Sequence, residues 1–524
     1  MKAFVIGAIL CLAAALALRG DDLTVTIQAG QIKGAARPAG GAEFLGIPYA
    51  EPPVGDLRWR EPQPAKTWSG VRDATKFGAP CAQRDLGGWN RHDAENGKED
   101  CLFLNVMTPK WPANEKLPVM VWLHGGANEG GSASSDLFKD GTLVQHGIVL
   151  VTVNYRLGIF GFMAQRGLEQ ESPHHVSGNY ALLDQILALH WVHDNISRFG
   201  GDPGNLTLFG QSAGAHDTSL MMASPLAKGL FQRVIQESGS PLSPPLRRLA
   251  EAEAANDKLL ASLNVPTGVG AIAFLRKQPT EALLKAAGGQ DPRGIPVLGP
   301  IVDGYVLPKS PVEIFAAGEE AAVPVIVGTT TREFGMQGSP DEIRNMIGEV
   351  TGSVSEKTFE VYGLANGGSG SNDTVFGPAG DQWFADLVFR CPIATEAMWH
   401  SAAHHGVYEY QFGRAIPGQE AQGAVHSADL PYVFGFYPKA GNIAGAFGET
   451  DFRLADLIET YFTNFAKTGN PNGGGVPEWP AFDGSERYVF FKEDGQVAVE
   501  SGGLRRKQCD LYREALRERM KNGR

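Results

Sequence analysis

A serine between two glycines is the first place in this sequence where the residue types could perform covalent chemistry. Ser212 lies in the stretch TLFGQSAGAHD and fits the pattern G-x-S-x-G. An apolar segment precedes it and a helix is predicted after it, which is the context of a nucleophile elbow. The first N–H groups of a helix are unpaired and partly positive, so the N–H of Ala213 could stabilise an oxyanion. The stretch therefore predicts a serine nucleophile for acyl transfer.

A histidine and an aspartate follow the serine closely, and by residue type they would complete a Ser-His-acid set. His216 and Asp217 should lie on the helix behind the elbow, while the side chain of Ser212 should face outward from the turn. We therefore do not expect His216 to come within hydrogen-bonding distance of the Ser212 hydroxyl. Both residues are interpreted as helix or packing residues.

Four short apolar runs without alternation surround this motif. Such runs are typical of strands covered on both faces, as in a parallel sheet between helices. They are LPVMVWLHGG (117–126), GIVLVTVNYRLG (147–158), NLTLFG (205–210) and VPVIVGTT (323–330). The glycines of HGGANEGG, at the end of the first run, would let the backbone approach a substrate oxygen and supply further oxyanion donors.

Other segments complete a coarse map of the chain. Residues 179–200 have apolar residues at helical spacing and end in glycine, which predicts a helix between two of the strands. Strand, helix and strand in alternation indicate an open α/β fold. We further expect an exposed strand or hairpin at 23–34, an ordered surface loop at 44–62, a helical insert at 246–287, and loops at 366–371 and 470–475. With no internal repeat or linker visible, residues 21–524 are predicted to form one domain.

Charge and the N-terminal composition exclude some classes of function. The formal net charge is −12, and no cluster of basic residues stands out before Arg505–Lys507, so nucleic-acid binding is not expected. Lys2 precedes an apolar run from Ala3 to Leu18, with small residues at Ala15 and Ala17. This pattern predicts a signal peptide over residues 1–20, cleaved near 17–20, rather than a membrane anchor. The mature protein is therefore expected to be secreted or periplasmic.

Export makes disulfide bonds plausible. Removal of the signal peptide takes Cys11 with it and leaves Cys81, Cys101, Cys391 and Cys509. Four cysteines allow three pairings, and spacing alone does not choose among them. No pair has the C-x-x-C spacing of zinc ligands, and neither a metal nor a cofactor is expected.

Six motifs resemble those of the type B carboxylesterases of the α/β-hydrolase fold, the family that includes cholinesterases and bile-salt lipases. In chain order they are FLGIPYAEPPVGDLRW, EDCLFLNV, VNYRLGIFGF, NYALLDQ, FGGDPGNLTLFGQSAGA and HSADLPYVFG. The resemblance covers nearly the whole mature chain. It implies a large, mostly parallel central sheet flanked by helices, with helical insertions.

The resemblance also implies the partners of the serine. The family's triad follows the order Ser, Glu, His, which maps to Ser212, to Glu333 in GTTTREFG and to His426 at the start of HSADLPYVFG. The oxyanion donors map to the N–H groups of Gly126, Ala127 and Ala213. The implied disulfides are Cys81–Cys101 and Cys391–Cys509, and the implied salt bridge Arg58–Glu99 is interpreted as structural.

The sequence departs from the family pattern at several of these positions. Ala127 and Asn128 stand where the family has a third glycine and an aromatic residue, and Asn128 is expected to place a polar group at the pocket wall. Gln211 replaces the glutamate common before the nucleophile, and Phe334 replaces the glycine after the acid. The loss of an anion at residue 211 argues against a cationic choline ester as substrate.

The resemblance implies a secreted carboxylic ester hydrolase that uses a triad, an acyl-enzyme and a backbone oxyanion hole on a small-molecule ester. Two alternatives remain: a noncatalytic binding protein on the same scaffold, and a lipase for long-chain esters. Noncatalytic members typically lose a triad residue, whereas Ser212, Glu333 and His426 are all present here.

Overall fold

A computed structural model describes residues 23–243, 245–266, 270–287, 297–336 and 338–521. The predicted signal peptide lies outside these residues. The strands are, in chain order, β1 (Thr24–Ile27), β2 (Gly30–Lys33), β3 (Ala35–Ala36), β4 (Ala42–Pro48), β5 (Val71–Asp73), β6 (Phe103–Thr108), β7 (Leu117–Leu123), β8 (Val149–Val153), β9 (Gly201–Gln211), β10 (Arg233–Glu237), β11 (Arg247–Arg248), β12 (Ile301–Val302), β13 (Val325–Thr330), β14 (Asn372–Asp373), β15 (Gly377–Pro378), β16 (Val407–Phe412), β17 (Tyr488–Phe491) and β18 (Val497–Glu500).

The α-helices of the described residues lie mainly between the strands. They are α1 (Arg91–Asn96), α2 (Asp136–Lys139), α3 (Gly158–Phe162), α4 (Arg166–Glu169), α5 (Tyr180–Asn195), α6 (Ala213–Ala223), α7 (Leu249–Leu260), α8 (Ala271–Arg276), α9 (Thr280–Ala286), α10 (Pro311–Ala317), α11 (Pro340–Thr351), α12 (Ser355–Val361), α13 (Ala379–Ala385), α14 (Cys391–Ala402), α15 (Leu430–Phe434), α16 (Glu449–Thr468) and α17 (Arg506–Lys521). A π-helical segment, Asp386–Arg390, joins α13 to α14.

An 11-stranded sheet forms the centre of the molecule, in the order β18-β17-β16-β13-β10-β9-β7-β8-β6-β4-β3. Neighbours from β17 to β8 run parallel, and the pairs at both edges are antiparallel. The prediction of a large, mostly parallel sheet is confirmed. The four apolar runs are also confirmed as strands, since they contain β7, β8, β9 and β13.

Both faces of the sheet are covered by apolar cores, which explains the lack of alternation in its central strands. In β7 the side chains of Val119 and Val121 enter one core, while Met120 and Trp122 enter the other. Helices α5 and α6 contribute to the first core, and α16 contributes to the second. A strand buried on both faces needs apolar residues at every position.

The coarse map from the sequence is right for most segments and wrong for part of one. The segment 23–34 forms an antiparallel hairpin of β1 and β2, and the helical insert contains α7, α8 and α9. The segment 44–62 is not a loop throughout, because its first residues belong to β4 and pair with β6. Proline and glycine exclude a helix there but not an irregular strand. At Gly46 (φ 67°) the register shifts, and a Cβ would lie 2.6 Å from the carbonyl oxygen of Lys76.

Two disulfides tie distant segments together: Cys81–Cys101 and Cys391–Cys509. The second joins α14 to α17, and both its cysteines are buried. Beside the first, Arg58 and Glu99 form a salt bridge of 2.6 Å between side chains that are almost fully buried. Within the described ranges, no helix is both long enough and apolar enough to cross a bilayer.

Candidate active site

Ser212 lies on a sharp turn between strand β9 and helix α6. Its backbone has φ 58° and ψ −124°, a combination rarely adopted by residues other than glycine. The turn is held by the N–H of Ser212, which donates to the carbonyl oxygen of Glu237 over 2.8 Å. The serine side chain is partly exposed, as a nucleophile requires.

Close backbone contacts explain the two glycines that flank the serine. A Cβ on Gly210 would lie 2.6 Å from the carbonyl carbon of Gly214, and a Cβ on Gly214 would lie 2.0 Å from the carbonyl oxygen of Leu123. Side chains at either position would push the helix away from the sheet. The G-x-S-x-G pattern is thus a packing requirement of this turn.

The loop after β7 passes directly beside the serine. A Cβ on Gly125 would lie 3.0 Å from the Cβ of Ser212. Gly126, Ala127 and Asn128 follow with φ values of 111°, 57° and 58°, so the backbone turns through left-handed conformations at three successive residues. For Ala127 that conformation costs about 1–2 kcal/mol because of its methyl group, a cost that a glycine at this position would not have. The loop therefore lies where it could complete an oxyanion site with the start of α6.

Hydrogen bonds from buried side chains hold this loop in place. The hydroxyl of Tyr155 donates to the carbonyl oxygen of His124 over 2.5 Å, and the two rings stack with centroids 4.4 Å apart. The amide of Asn128 donates to Asp217 over 3.0 Å, and Gln185 donates to the other carboxylate oxygen over 2.6 Å. The expectation that Asn128 contributes a polar group to the pocket wall is wrong, because its side chain is buried against α6.

His216 is buried on the same helix and stays apart from the serine side chain. Its Nδ1 lies 3.7 Å from Asp217, and its Nε2 has no hydrogen-bond partner among the residues that the structure describes. Among the described residues, its hydrogen bond to Ser212 is the ordinary helical one, in which the His216 N–H donates to the serine carbonyl oxygen over 2.9 Å. Asp217 instead accepts a hydrogen bond from Asn128, in the loop after β7.

Glu333 and His426 form a close pair at the carboxyl end of β13. The Nδ1 of His426 lies 2.5 Å from Oε2 of Glu333, and both side chains are almost fully enclosed. The other oxygen, Oε1, accepts hydrogen bonds from the hydroxyl of Ser238 (2.6 Å) and the N–H of Thr330 (2.8 Å). Both carboxylate oxygens therefore have fixed partners, and the carboxylate in turn orients the imidazole.

The other edge of the His426 ring faces the serine turn. Its Nε2 lies 3.1 Å from Nε2 of Gln211, the residue just before Ser212. With the proton on Nδ1 directed at Glu333, the lone pair on His426 Nε2 can accept a hydrogen bond from the Gln211 amide. In the described part of the chain, no hydrogen bond joins the Ser212 hydroxyl to His426, so Gln211 holds the nitrogen that a general base would use.

Two aromatic rings pack against the imidazole. The ring centroids of Phe334 and Phe389 lie 4.3 Å and 5.0 Å from that of His426. Phe334, the residue that replaces the family's glycine, remains 51% exposed, so it forms part of the rim above the pair. These rings restrict how far His426 can rotate.

Sequence reasoning missed several supporting residues. Ser238, which follows the neighbouring strand β10, and Thr330, at the end of β13, both donate to Glu333, and no sequence motif marks either of them. Asp429 lies three residues after His426 inside the quoted motif, so that motif could have pointed to it. It accepts a hydrogen bond from Tyr410 over 3.2 Å, and burial, reinforced by the charge of Glu333, raises its pKa to about 6.

Comparison with known proteins adds evidence independent of this geometry. The sequence model of the carboxylesterase family matches residues 21–512. Fumonisin B1 esterase of Sphingopyxis macrogoltabida is 36% identical over 86% of this chain and 83% of its own length. Liver carboxylesterase of Sus scrofa is 34% identical over 90% of this chain and 88% of its own length. Carboxylesterase 1D of Rattus norvegicus is also 34% identical, with 89% and 88% covered.

Proposed function

The chain belongs to the carboxylesterase family and is a carboxylic ester hydrolase of the α/β-hydrolase fold, and from that premise we propose that Ser212, His426 and Glu333 form its catalytic triad. The observation that carries this proposal is the Glu333–His426 pair, whose second imidazole nitrogen faces the strained turn of Ser212. A nucleophile, a base and a residue that orients the base are the parts that acyl transfer by a serine requires.

In the proposed reaction, Ser212 Oγ attacks the carbonyl carbon of the ester while His426 Nε2 takes the serine proton. The imidazolium is stabilised by Glu333, whose carboxylate is fixed by Ser238 and Thr330. His426 returns the proton to the departing alcohol and leaves an acyl-serine. Water, deprotonated by the same nitrogen, then releases the acid and restores Ser212.

Before the Ser212 hydroxyl can donate to His426 Nε2, the hydrogen bond between the Gln211 amide and that nitrogen must break. The two Nε2 atoms are 3.1 Å apart, and a neutral hydrogen bond of this kind has a net value of about 1 kcal/mol. Rotation of the Gln211 or Ser212 side chain to make this exchange therefore adds little to the activation free energy. We propose that substrate binding at the turn favours the serine–histidine contact.

The oxyanion of the tetrahedral intermediate is proposed to accept hydrogen bonds from the N–H groups of Gly126, Ala127 and Ala213. The first two lie on the loop that passes beside Ser212, and the third is the first residue of α6. Loss of one such donor costs about 3–4 kcal/mol of activation energy in serine hydrolases. The hydrogen bonds of Tyr155 and Asn128 would keep this loop rigid between turnovers.

We also propose that the protein acts outside the cytoplasm, on small-molecule esters. Two disulfides, Cys81–Cys101 and Cys391–Cys509, favour an oxidising compartment, either secreted or periplasmic. A substrate that appears in the name of a relative is a property of that relative. A panel of esters that varies acyl and alcohol size, with fumonisin B1 among its members, would define the preference of this chain.

The test is hydrolysis of a short-chain nitrophenyl ester by the purified protein and by Ser212→Ala. We expect turnover by the unmodified chain and none above background by the variant, while both show the same thermal unfolding. Absence of turnover by a well-folded unmodified chain would favour the noncatalytic binding alternative.

A further inference from the structure

A second cluster of chemically active side chains lies at the opposite end of the sheet from Ser212. Glu320 and His405 precede strands β13 and β16, so they lie at the amino ends of these strands, whereas Glu333 follows the carboxyl end of β13. His400 belongs to the last turn of α14. One potential ligand atom from each of Glu320, His400 and His405 lies within 4.8 Å of the other two.

The hydrogen bonds of His400 fix which of its nitrogens could bind a metal. Its Nε2 lies 2.8 Å from the carbonyl oxygen of Val323, which can only accept, so Nε2 carries the hydrogen. Its Nδ1 lies 2.7 Å from Oε1 of Glu320. A backbone carbonyl that accepts from the far nitrogen is the arrangement that orients metal-binding histidines. At this distance Nδ1 and the carboxylate share a hydrogen, which a metal ion bound to both groups would displace.

Glu320 has capacity beyond its contact with His400. Its Oε2 is buried and has no hydrogen-bond partner within the described residues. A buried carboxylate oxygen without a hydrogen-bond partner costs free energy, because it has lost its hydration without a replacement. A cation shared between the two carboxylate oxygens and the histidines would remove this cost.

His405 completes the cluster and connects it to solvent. Its ring centroid lies 4.6 Å from that of His400, and its side chain is only half-buried, so an ion can enter from this side. The adjacent His404 is exposed and is not part of the cluster.

We propose that Glu320, His400 and His405 bind a zinc ion, with a fourth position open to water. Two imidazole nitrogens and one carboxylate oxygen are a ligand set that zinc accepts. Cysteine spacing predicts no zinc site, whereas folding brings Glu320, His400 and His405 together from separate segments. Bound zinc would link the segment after α10 to the end of α14 and stabilise the sheet at the amino ends of β13 and β16.

The experiment uses the full-length chain without an affinity tag, stripped of metal with a chelator and titrated with zinc chloride by calorimetry. We expect one high-affinity zinc ion per chain, release of protons on binding, and a higher midpoint of thermal unfolding. Cobalt(II) should give the visible absorption of a low-symmetry site with nitrogen ligands.

Single substitutions locate the site. His405→Ala, at a half-exposed position, is expected to weaken zinc binding at least roughly tenfold and to abolish the cobalt spectrum. Glu320→Gln, which keeps the shape of the side chain, should do the same. His404→Ala is the matched control and should leave both signals unchanged. Ester hydrolysis by the metal-free protein should not differ among these variants.

Two outcomes would overturn the proposal. The first is failure of the stripped, folded chain to bind zinc. The second is equal zinc affinity in His405→Ala, Glu320→Gln and the unmodified chain, which would place the ion elsewhere and leave Glu320–His400 as a proton-bridged pair.

Discussion

Ser212 has two histidines close to it, and their surroundings give them different roles. His426 has a buried carboxylate on Nδ1 and its Nε2 turned toward the serine elbow, whereas His216 is enclosed in α6. His426→Ala is therefore expected to lower kcat for ester hydrolysis by roughly 10⁴-fold or more, and His216→Ala to retain most activity. Steady-state kinetics of the two folded variants measures this difference.

Reversal of that order would contradict the assignment. A His216→Ala enzyme that folds but does not turn over, beside an active His426→Ala enzyme, would place the base on α6. Circular dichroism and thermal unfolding of both variants are the necessary controls.

Gln211 places a neutral amide beside His426, the proposed base. Its amide nitrogen lies 3.1 Å from His426 Nε2, so Gln211→Glu would place a carboxylate against the imidazole. A negative charge stabilises the imidazolium, and we expect the acid limb of the kcat/KM profile to move to higher pH. The measurement is kcat/KM between pH 5 and 9 for a nitrophenyl ester.

Salt provides a control for the same variant, because a contact enclosed by protein is screened less than one in solvent. The shift should therefore persist at high ionic strength. An acid limb that stays in place in Gln211→Glu would show that residue 211 does not contact the base during turnover.

Some of these residue contacts could be predicted from the sequence and others could not. The family motifs assigned Glu333 and His426, and those roles stay predictions until variants are assayed. Ser238 and Asn128 act through partners 95 and 89 residues away, respectively. Sequence patterns with a period of two or 3.6 residues carry no information about such contacts.

At the scale of elements, the strands were the more predictable part. Continuous apolar runs marked β7, β8, β9 and β13 because each is covered on both faces. Residues 44–48 are predicted as part of a loop but belong to β4. The strand pattern is broken at Gly46, where the backbone approaches the carbonyl oxygen of Lys76. Such a close approach depends on the folded structure and cannot be predicted from local residue propensities.

Strand β16 carries a buried acid whose ionisation opposes folding. Burial, with a smaller contribution from Glu486, raises the pKa of Glu409 to about 8, and both its carboxylate oxygens lack partners within the described residues. The folded chain therefore keeps a proton that the unfolded chain loses above about pH 4.5. Stability from this group is full at low pH and falls as the pH rises toward 8.

Glu409→Gln should remove this dependence. We expect urea unfolding midpoints close to those of the unmodified chain at pH 5 and higher ones at pH 8. Glu360→Gln, at an exposed position of α12, is the matched control and should shift neither. A Glu409→Gln variant that is no more stable at pH 8, relative to the unmodified chain, than at pH 5 would contradict the account.

At the scale of the molecule, the two disulfides should contribute unequally to stability. Cys391–Cys509 spans 118 residues and Cys81–Cys101 spans 20. In the loop-entropy description, loops of about 100 and 15 residues correspond to about 4.7 and 3 kcal/mol. Cys391→Ala/Cys509→Ala should therefore lower the free energy of unfolding more than Cys81→Ala/Cys101→Ala does.

Urea unfolding of the two double variants under non-reducing conditions measures the ranking. Ester hydrolysis at 25 °C should persist in the α14–α17 variant, since neither helix supplies a proposed triad residue. The opposite ranking would show that the local disulfide constrains the unfolded chain more than its loop length implies.

The central claim is that Ser212 is the nucleophile, and a fluorophosphonate tests it directly by covalent trapping. Peptide mass spectrometry of the inactivated protein should find one adduct, on Ser212, formed in step with the loss of ester hydrolysis. An adduct on another residue, or full inactivation with Ser212 unmodified, would contradict the account.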